Sequence, residues 1–157
     1  EVDTLALELV RDLTPSSGLL LYPIKTVGDG NCVPRALSLL CFGDQDHHTE
    51  IRCRIVMELV SNSLDYLCLD DPELEFLVQH SECMALNAEE TFQNEVLKVC
   101  HRSSYMGIWQ IMAAANVSQA QILSVYPSRG ASLVRRFYDR TFVPRELKST
   151  HTLCLLW

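Results

Sequence analysis

The sequence predicts an α+β fold in which helices come first and a small sheet follows. As far as Val117 the apolar residues recur mostly at helical spacing. Beyond it come three segments rich in β-branched, aromatic and leucine side chains, divided by Pro127-Ser128-Arg129-Gly130 and Pro144. Size supports the same reading: 157 residues, 48% of them hydrophobic, can bury about two-thirds of their unfolded surface in one core and are too few for two full domains. The expectation is one domain over residues 1–157, with residues 1–18 as an N-terminal helical arm.

Leu5, Leu7, Leu9, Val10 and Leu13 predict a short amphipathic helix over 3–13, ended by Pro15-Ser16-Ser17-Gly18. An extended stretch from Leu20 to Val27 leads into Gly28-Asp29-Gly30-Asn31, a dense cluster of turn formers. Val33, Ala36, Leu37, Leu39 and Leu40 then fall on a helical face, so Cys32 sits at a loop-to-helix junction. Ile51, Ile55, Val56, Leu59 and Val60 mark a second helix, and Phe92, Val96, Leu97 and Cys100 a third over 89–100; the segment between, 65–86, is less regular. Over 105–117, Ile108, Trp109, Met112 and Ala113 keep helical offsets, with Asn116 as the stop. Strands are expected over 122–126, 133–142 and 152–157. There is no internal repeat and no low-complexity linker.

Composition removes several classes of function. A net charge of −7 speaks against nucleic acid as partner, since Arg135-Arg136 is too short to be a basic stripe. The longest apolar runs fall far below the roughly 20 residues of a membrane span, and Glu1 to Leu9 lack the basic start of a secretory leader. The seven cysteines are odd in number and scattered through helical patterns, as reduced thiols of an intracellular (cytoplasmic or nuclear) protein would be. No CxxC pair occurs, and His47, His48 and Cys53 have no second cluster to complete four ligands, so neither a metal nor another cofactor is expected. A monomer is expected. The acidic positions Asp65, Asp70, Asp71, Glu73 and Glu75 read as a solvated face, with attraction of a basic partner as the alternative.

Cys32 is the residue with a chemical argument. The first N–H groups of a helix lack intrahelical partners and carry partial positive charge, a setting that favours a thiolate. The flanking glycines let the backbone turn sharply, so N–H groups from Asp29 to Cys32, with Gly30 and Asn31 at the centre, can face the oxyanion of a tetrahedral intermediate. Against this stands the ordinary fate of a free cysteine, a small buried apolar residue, which is the reading given to Cys41, Cys53, Cys68, Cys83, Cys100 and Cys154. A thiolate also needs a base. Of five histidines, His151 alone lies just ahead of a strand-like segment, with His47, His48, His80 and His101 in reserve.

Gly28-Asp29-Gly30-Asn31-Cys32-Val33-Pro34-Arg35-Ala36 resembles the signature of the ovarian tumour (OTU) family of cysteine proteases: Asp-Gly-Asn-Cys, two apolar residues, Arg and Ala. The later order fits too, with the Tyr105-Met106-Gly107-Ile108-Trp109 helix entry, the Ile122-Leu123-Ser124-Val125-Tyr126 strand, and His151 before a last strand. The Trp109 helix, Ser124-Val125-Tyr126-Pro127 and Leu155-Leu156-Trp157 resemble vertnin-type OTU domains most nearly. The likeness covers roughly 20–157, with Asp44 to His101 alike only in helical character.

The resemblance implies an OTU-like, papain-type fold, helices packed on a C-terminal sheet, and a deubiquitinase that needs no cofactor. It makes Cys32 the nucleophile, His151 the general base and acid, and Asp29 the acidic member. It implies ubiquitin or polyubiquitin as partner; some vertnin-type enzymes prefer chains joined through the lysine at ubiquitin's sixth position, but no residue here lets a linkage be read. Trp109 reads first as core packing, and alternatively as the wall of the substrate groove that admits a Gly-Gly tail. Asn31 and Arg35 read as helix-start residues held by local hydrogen bonds.

Two positions depart from the family pattern. Leu153 stands where many members carry Asp or Asn to orient the histidine, which leaves Asp29, Thr152, Asn31 or a backbone carbonyl for that task. Pro34 replaces the usual aromatic, a change a first helical turn tolerates. The rival functions are an OTU-like binding or scaffold module without activity, and a protease for another ubiquitin-like modifier.

Overall fold

The computed structural model describes residues 1–11, 21–67, 88–126, 132–148 and 150–157. Among them the fold is built outward from one helix. Ile108–Ser118 is apolar on nearly every side, so it is buried on nearly every side: Ile111, Ala113, Ala114 and Ala115 have no exposed surface, and the small alanines let neighbours approach closely. In chain order the helices are α1 (Thr4–Arg11), α2 (Cys32–Phe42), α3 (His48–Ser61), α4 (Ser63–Leu67), α5 (Ala88–Cys100) and this central α6 (Ile108–Ser118). Strand β1 (Gln121–Val125), helix α7 (Ser132–Tyr138), strand β2 (Arg140–Phe142) and strand β3 (Thr152–Leu156) follow.

Helix α3 packs on α6 through Ile51, Ile55 and Leu59, a stripe at successive fourth positions. Helix α5 packs on α3 through Phe92, Val96 and Val99. The side expected for this helix needs correcting: Leu97 and Cys100 are exposed, and Val99, seven residues after Phe92, completes the buried stripe instead. Val60 and Leu40, also placed on apolar faces by spacing, are exposed as well. Gly43 closes α2 in a left-handed conformation (φ 86°), donating its N–H to the Leu39 carbonyl at 3.0 Å. Helix α6 opens with Gln110 Oε1 accepting the Gly107 N–H at 2.8 Å.

The sheet has the order β2-β1-β3, with β2 antiparallel to β1 and β3 parallel to it. Gln121 faces Thr152 and Val125 faces Leu156, so the last strand enters beside the start of the central one. Ile122 and Ser124, one face of β1, are fully buried. Ser124 is satisfied there because its Oγ accepts the Trp157 Nε1–H at 2.7 Å.

The α+β order is as expected, but the middle strand is not. Instead of a strand over 133–142, residues 132–138 form α7 and only Arg140–Phe142 enters the sheet. Arg135 and Asp139 pair at 3.2 Å across one helical turn, and the Asp139 N–H donates to the Arg135 carbonyl at 2.8 Å; buried Phe137 anchors the helix. These local bonds and one burial outweigh β propensity. Asn116 does not stop α6, which runs to Ser118 and ends at left-handed Gln119 (φ 52°). Its amide instead donates to the Tyr66 hydroxyl at 2.7 Å, while its Oδ1 accepts the Arg145 N–H at 2.8 Å. The helix expected over 3–13 is described as Thr4–Arg11, and 12–18 lies outside the described residues. So do Cys68, Cys83, His80 and the acidic positions beyond Asp65. No helix among the described residues is long and apolar enough to cross a membrane.

Candidate active site

The Gly28–Asn31 turn exists because its own side chains fold it. Asp29 Oδ1 accepts the Asn31 N–H at 3.0 Å, which bends the chain back over two residues. Arg35, one turn into α2, donates Nε to both carboxylate oxygens at 3.2 Å and Nη2 to Oδ2 at 2.8 Å. The Arg35 guanidinium, with help from Asn31, holds the Asp29 carboxyl well below the usual carboxylate range. Gly30 is required at its place: its φ of +79° is left-handed, and a Cβ there would collide with the backbone of Ser103. Further back, Gln45 accepts the Val27 N–H at 3.1 Å and donates to the Lys25 carbonyl at 3.2 Å, pinning the approach to the turn.

Cys32 emerges from this turn as the first residue of α2, half-buried, where the peptide dipoles of the helix converge. It lines a cavity of about 550 Å³ together with Gly28, Val33 and Ala36 on one side and Thr152, Cys154 and Trp157 on the other. The start of α2 and the last strand therefore share one opening. His151 is the exposed residue that enters β3, next to Thr152. Leu153 pairs with Ile122 and packs against the core.

Trp109 needs correction as a groove residue. Its indole is 4% exposed, stands edge-on to Phe92 with ring centres 5.3 Å apart, and donates Nε1–H to the Tyr66 carbonyl at 3.2 Å. That leaves it no face for a substrate. The tryptophan on the cavity is Trp157, held by Ser124 and by its N–H to the Val125 carbonyl at 3.1 Å. Asn31 also differs from expectation. Its side chain makes no cap bond to α2; its Oδ1 accepts from the Arg52 guanidinium, Nε at 3.1 Å and Nη2 at 2.8 Å. Cys41, Cys53 and Cys100, read as buried apolar residues, are exposed, and Cys154 is half-buried with burial pushing its thiol up.

One known family matches most of this chain. The model of the vertnin OTU domain matches residues 23–157, which takes in the turn, Cys32 and the last strand. The chain belongs to the vertnin OTU-domain family. Vertnin from Homo sapiens is 30% identical across the whole chain, as is that from Ailuropoda melanoleuca, and that from Bos taurus is 31% identical. The chain spans about a quarter of the length of these curated relatives, 24%, 23% and 25% respectively.

Within this vertnin-type OTU domain, sequence reasoning missed Arg52. It is 4% exposed, and its guanidinium reaches the Gly30 carbonyl at 3.1 Å besides Asn31. A signal was present: in Ile51-Arg52-Cys53-Arg54-Ile55 an arginine stands three residues before Ile55 and seven before Leu59, on the edge of the buried stripe. A cation there requires partners. Among the described residues no group of three or more His, Cys, Asp or Glu gathers to hold a metal.

Proposed function

We propose that the chain is a thiol-dependent deubiquitinase domain of OTU, papain-type arrangement, hydrolysing the isopeptide bond at the C-terminus of ubiquitin. One observation carries this reading: the Asp29-Gly30-Asn31 turn delivers Cys32 to the N-terminus of a helix on a cavity whose far wall is the strand that His151 enters. In this reaction the Cys32 thiolate attacks the carbonyl carbon of the terminal glycine. The carbonyl π electrons move to oxygen, and backbone N–H groups of the turn hold that oxyanion. Because the Asn31 N–H is already given to Asp29, the neighbouring amides of Gly30 and Cys32 take this task. His151 protonates the departing lysine amine, then takes a proton from the water that cleaves the thioester. Asp29 acts through Arg35 and Asn31 on the shape of the turn, and the groove uses Trp157 in preference to Trp109.

The second reading, an OTU-like module that binds without hydrolysing, draws on Leu153: an apolar residue packed on the core occupies the position from which many family members orient the histidine. The test is incubation of the reduced protein with ubiquitin bearing a C-terminal electrophile, beside Cys32→Ala, followed by intact mass. A gain of one ubiquitin that vanishes in Cys32→Ala supports the hydrolase. No adduct on folded protein favours the binding module or another modifier, and ubiquitin-chain cleavage by Cys32→Ala sinks the assignment of the nucleophile.

A further inference from the structure

We propose that Arg52 is the positioning residue of this site, fixing the Gly30–Cys32 backbone against the 99–104 segment and thereby aiming the amides that face the oxyanion. Its chemical consequence rests on the hydrolase reading; its conformational consequence does not. Arg52 bridges two stretches of chain far apart in sequence. On one side Nε and Nη2 share Asn31 Oδ1 and Nη2 reaches the Gly30 carbonyl at 3.1 Å. On the other, Nη1 donates to the Val99 carbonyl at 3.1 Å and the His101 carbonyl at 3.4 Å, and Nη2 to the Ser104 carbonyl at 2.9 Å.

All these acceptors are neutral. A buried cation held by carbonyl and amide oxygens is a costly way to gain stability, since apolar side chains of similar volume often serve as well. What the planar fork supplies is direction. The two stretches it joins meet back to back in left-handed conformations, Gly30 at φ +79° and Ser103 at φ 65°, with Gly30 against the Ser103 backbone. Asn31 precedes α2 yet spends its side chain on Arg52 rather than on capping the helix. Without the guanidinium, Asn31 is released to bond the α2 N–H groups as asparagine commonly does, and the turn swings away from its present geometry. Burial lowers the affinity of Arg52 for its proton, and the weaker influence of the Cys32 and Asp29 charges acts in the opposite sense.

The experiment uses Arg52→Lys, which keeps the charge and loses the fork, and Arg52→Gln, which loses both. With ubiquitin carrying a fluorogenic C-terminal amide, both variants should lose about 10²-fold in kcat, the scale of a displaced oxyanion donor, with KM within about threefold. Iodoacetamide alkylation of Cys32 forms no oxyanion and should stay within about threefold of the unsubstituted protein. Amide hydrogen exchange should quicken at Gly30–Cys32 and Ser103–Tyr105 and stay unchanged in α6 and β1. Unchanged kcat in Arg52→Lys, a joint fall of kcat and alkylation, or faster exchange throughout the protein overturns the proposal, the last by reducing Arg52 to a part of the fold. If the unsubstituted protein cleaves no ubiquitin substrate, the hydrolase reading fails by itself and exchange decides for Arg52. Local quickening then supports the positioning role, and an unchanged or global pattern overturns it.

Discussion

The α3–α6–β1 centre and the Gly28–Cys32 turn lie close together and are held by different physics. In the centre Ile55, Leu59, Ile111 and Ile122 have no exposed surface, and the stabilisation comes from removing apolar area from water. That force has no direction, so several side-chain choices can satisfy it. In the turn Gly30 and Asn31 are also buried, yet what holds them is a set of directed bonds from Arg35, Arg52 and Asp29. Directed bonds set atomic positions to a fraction of an ångström, which is what the proposed oxyanion site requires. Stability and geometry are thus assigned to neighbouring but separate residues, and substitutions should separate them.

A large loss of stability with the geometry of the turn kept is expected from the centre. Leu59→Ala should cost about 2–5 kcal/mol, read as a fall in Tm and in denaturant midpoint, with the adduct to the ubiquitin electrophile still forming below the transition. If Leu59→Ala abolished the adduct while still folded, the separation would break. Gly30→Ala adds the collision of its Cβ with the Ser103 backbone to about 1–3 kcal/mol of backbone strain, and where both variants are folded it should slow adduct formation far more than Leu59→Ala does; equal rates for the two would show that the turn needs no left-handed residue. Smallest is Asp29→Asn. A carboxyl held below its unfolded pKa of about 3.9 contributes stability above that pH and loses it only as pH falls through the depressed folded value. The Tm of Asp29→Asn should therefore lie slightly below that of the unsubstituted protein at pH 7, and the two should converge only in strong acid. Convergence already at pH 5 would mean that Arg35 does not hold the carboxylate.

Most of the helices could be read from the sequence because the apolar stripes that bury them are local: Ile51, Ile55 and Leu59 announce α3 without help from the rest of the chain. The same reasoning failed over 133–142, where the aromatic and β-branched composition fits a strand but an ion pair and one buried phenylalanine select a helix. For the site, the Asp29-Gly30-Asn31-Cys32 sequence marked the turn because its residue types are those that such a turn demands. Arg52 left only a faint mark, as its partners are backbone carbonyls and one amide oxygen gathered from distant segments, and carbonyls carry no residue identity. Trp109 reads first as core and is core, but the place of Trp157 on the cavity was not legible, for a related reason. Spacing shows that a side chain lies on an apolar face but not whether another element covers that face.

The parallel pairing of β3 with β1, beside a cavity that begins at Cys32, also bears on how the molecule comes to exist. Cys32 and β3 are separated by about 120 residues, and bringing such distant points together costs chain entropy that local helices do not pay. Helices α2, α3 and α5 can form from near neighbours, whereas the cavity wall at Thr152 and Cys154 must wait for a contact of high sequence separation. During synthesis the cysteine leaves the ribosome long before the strand that completes its surroundings. A nascent chain would carry the thiol without the cavity, and the far wall would be the last part of the thiol's surroundings to assemble.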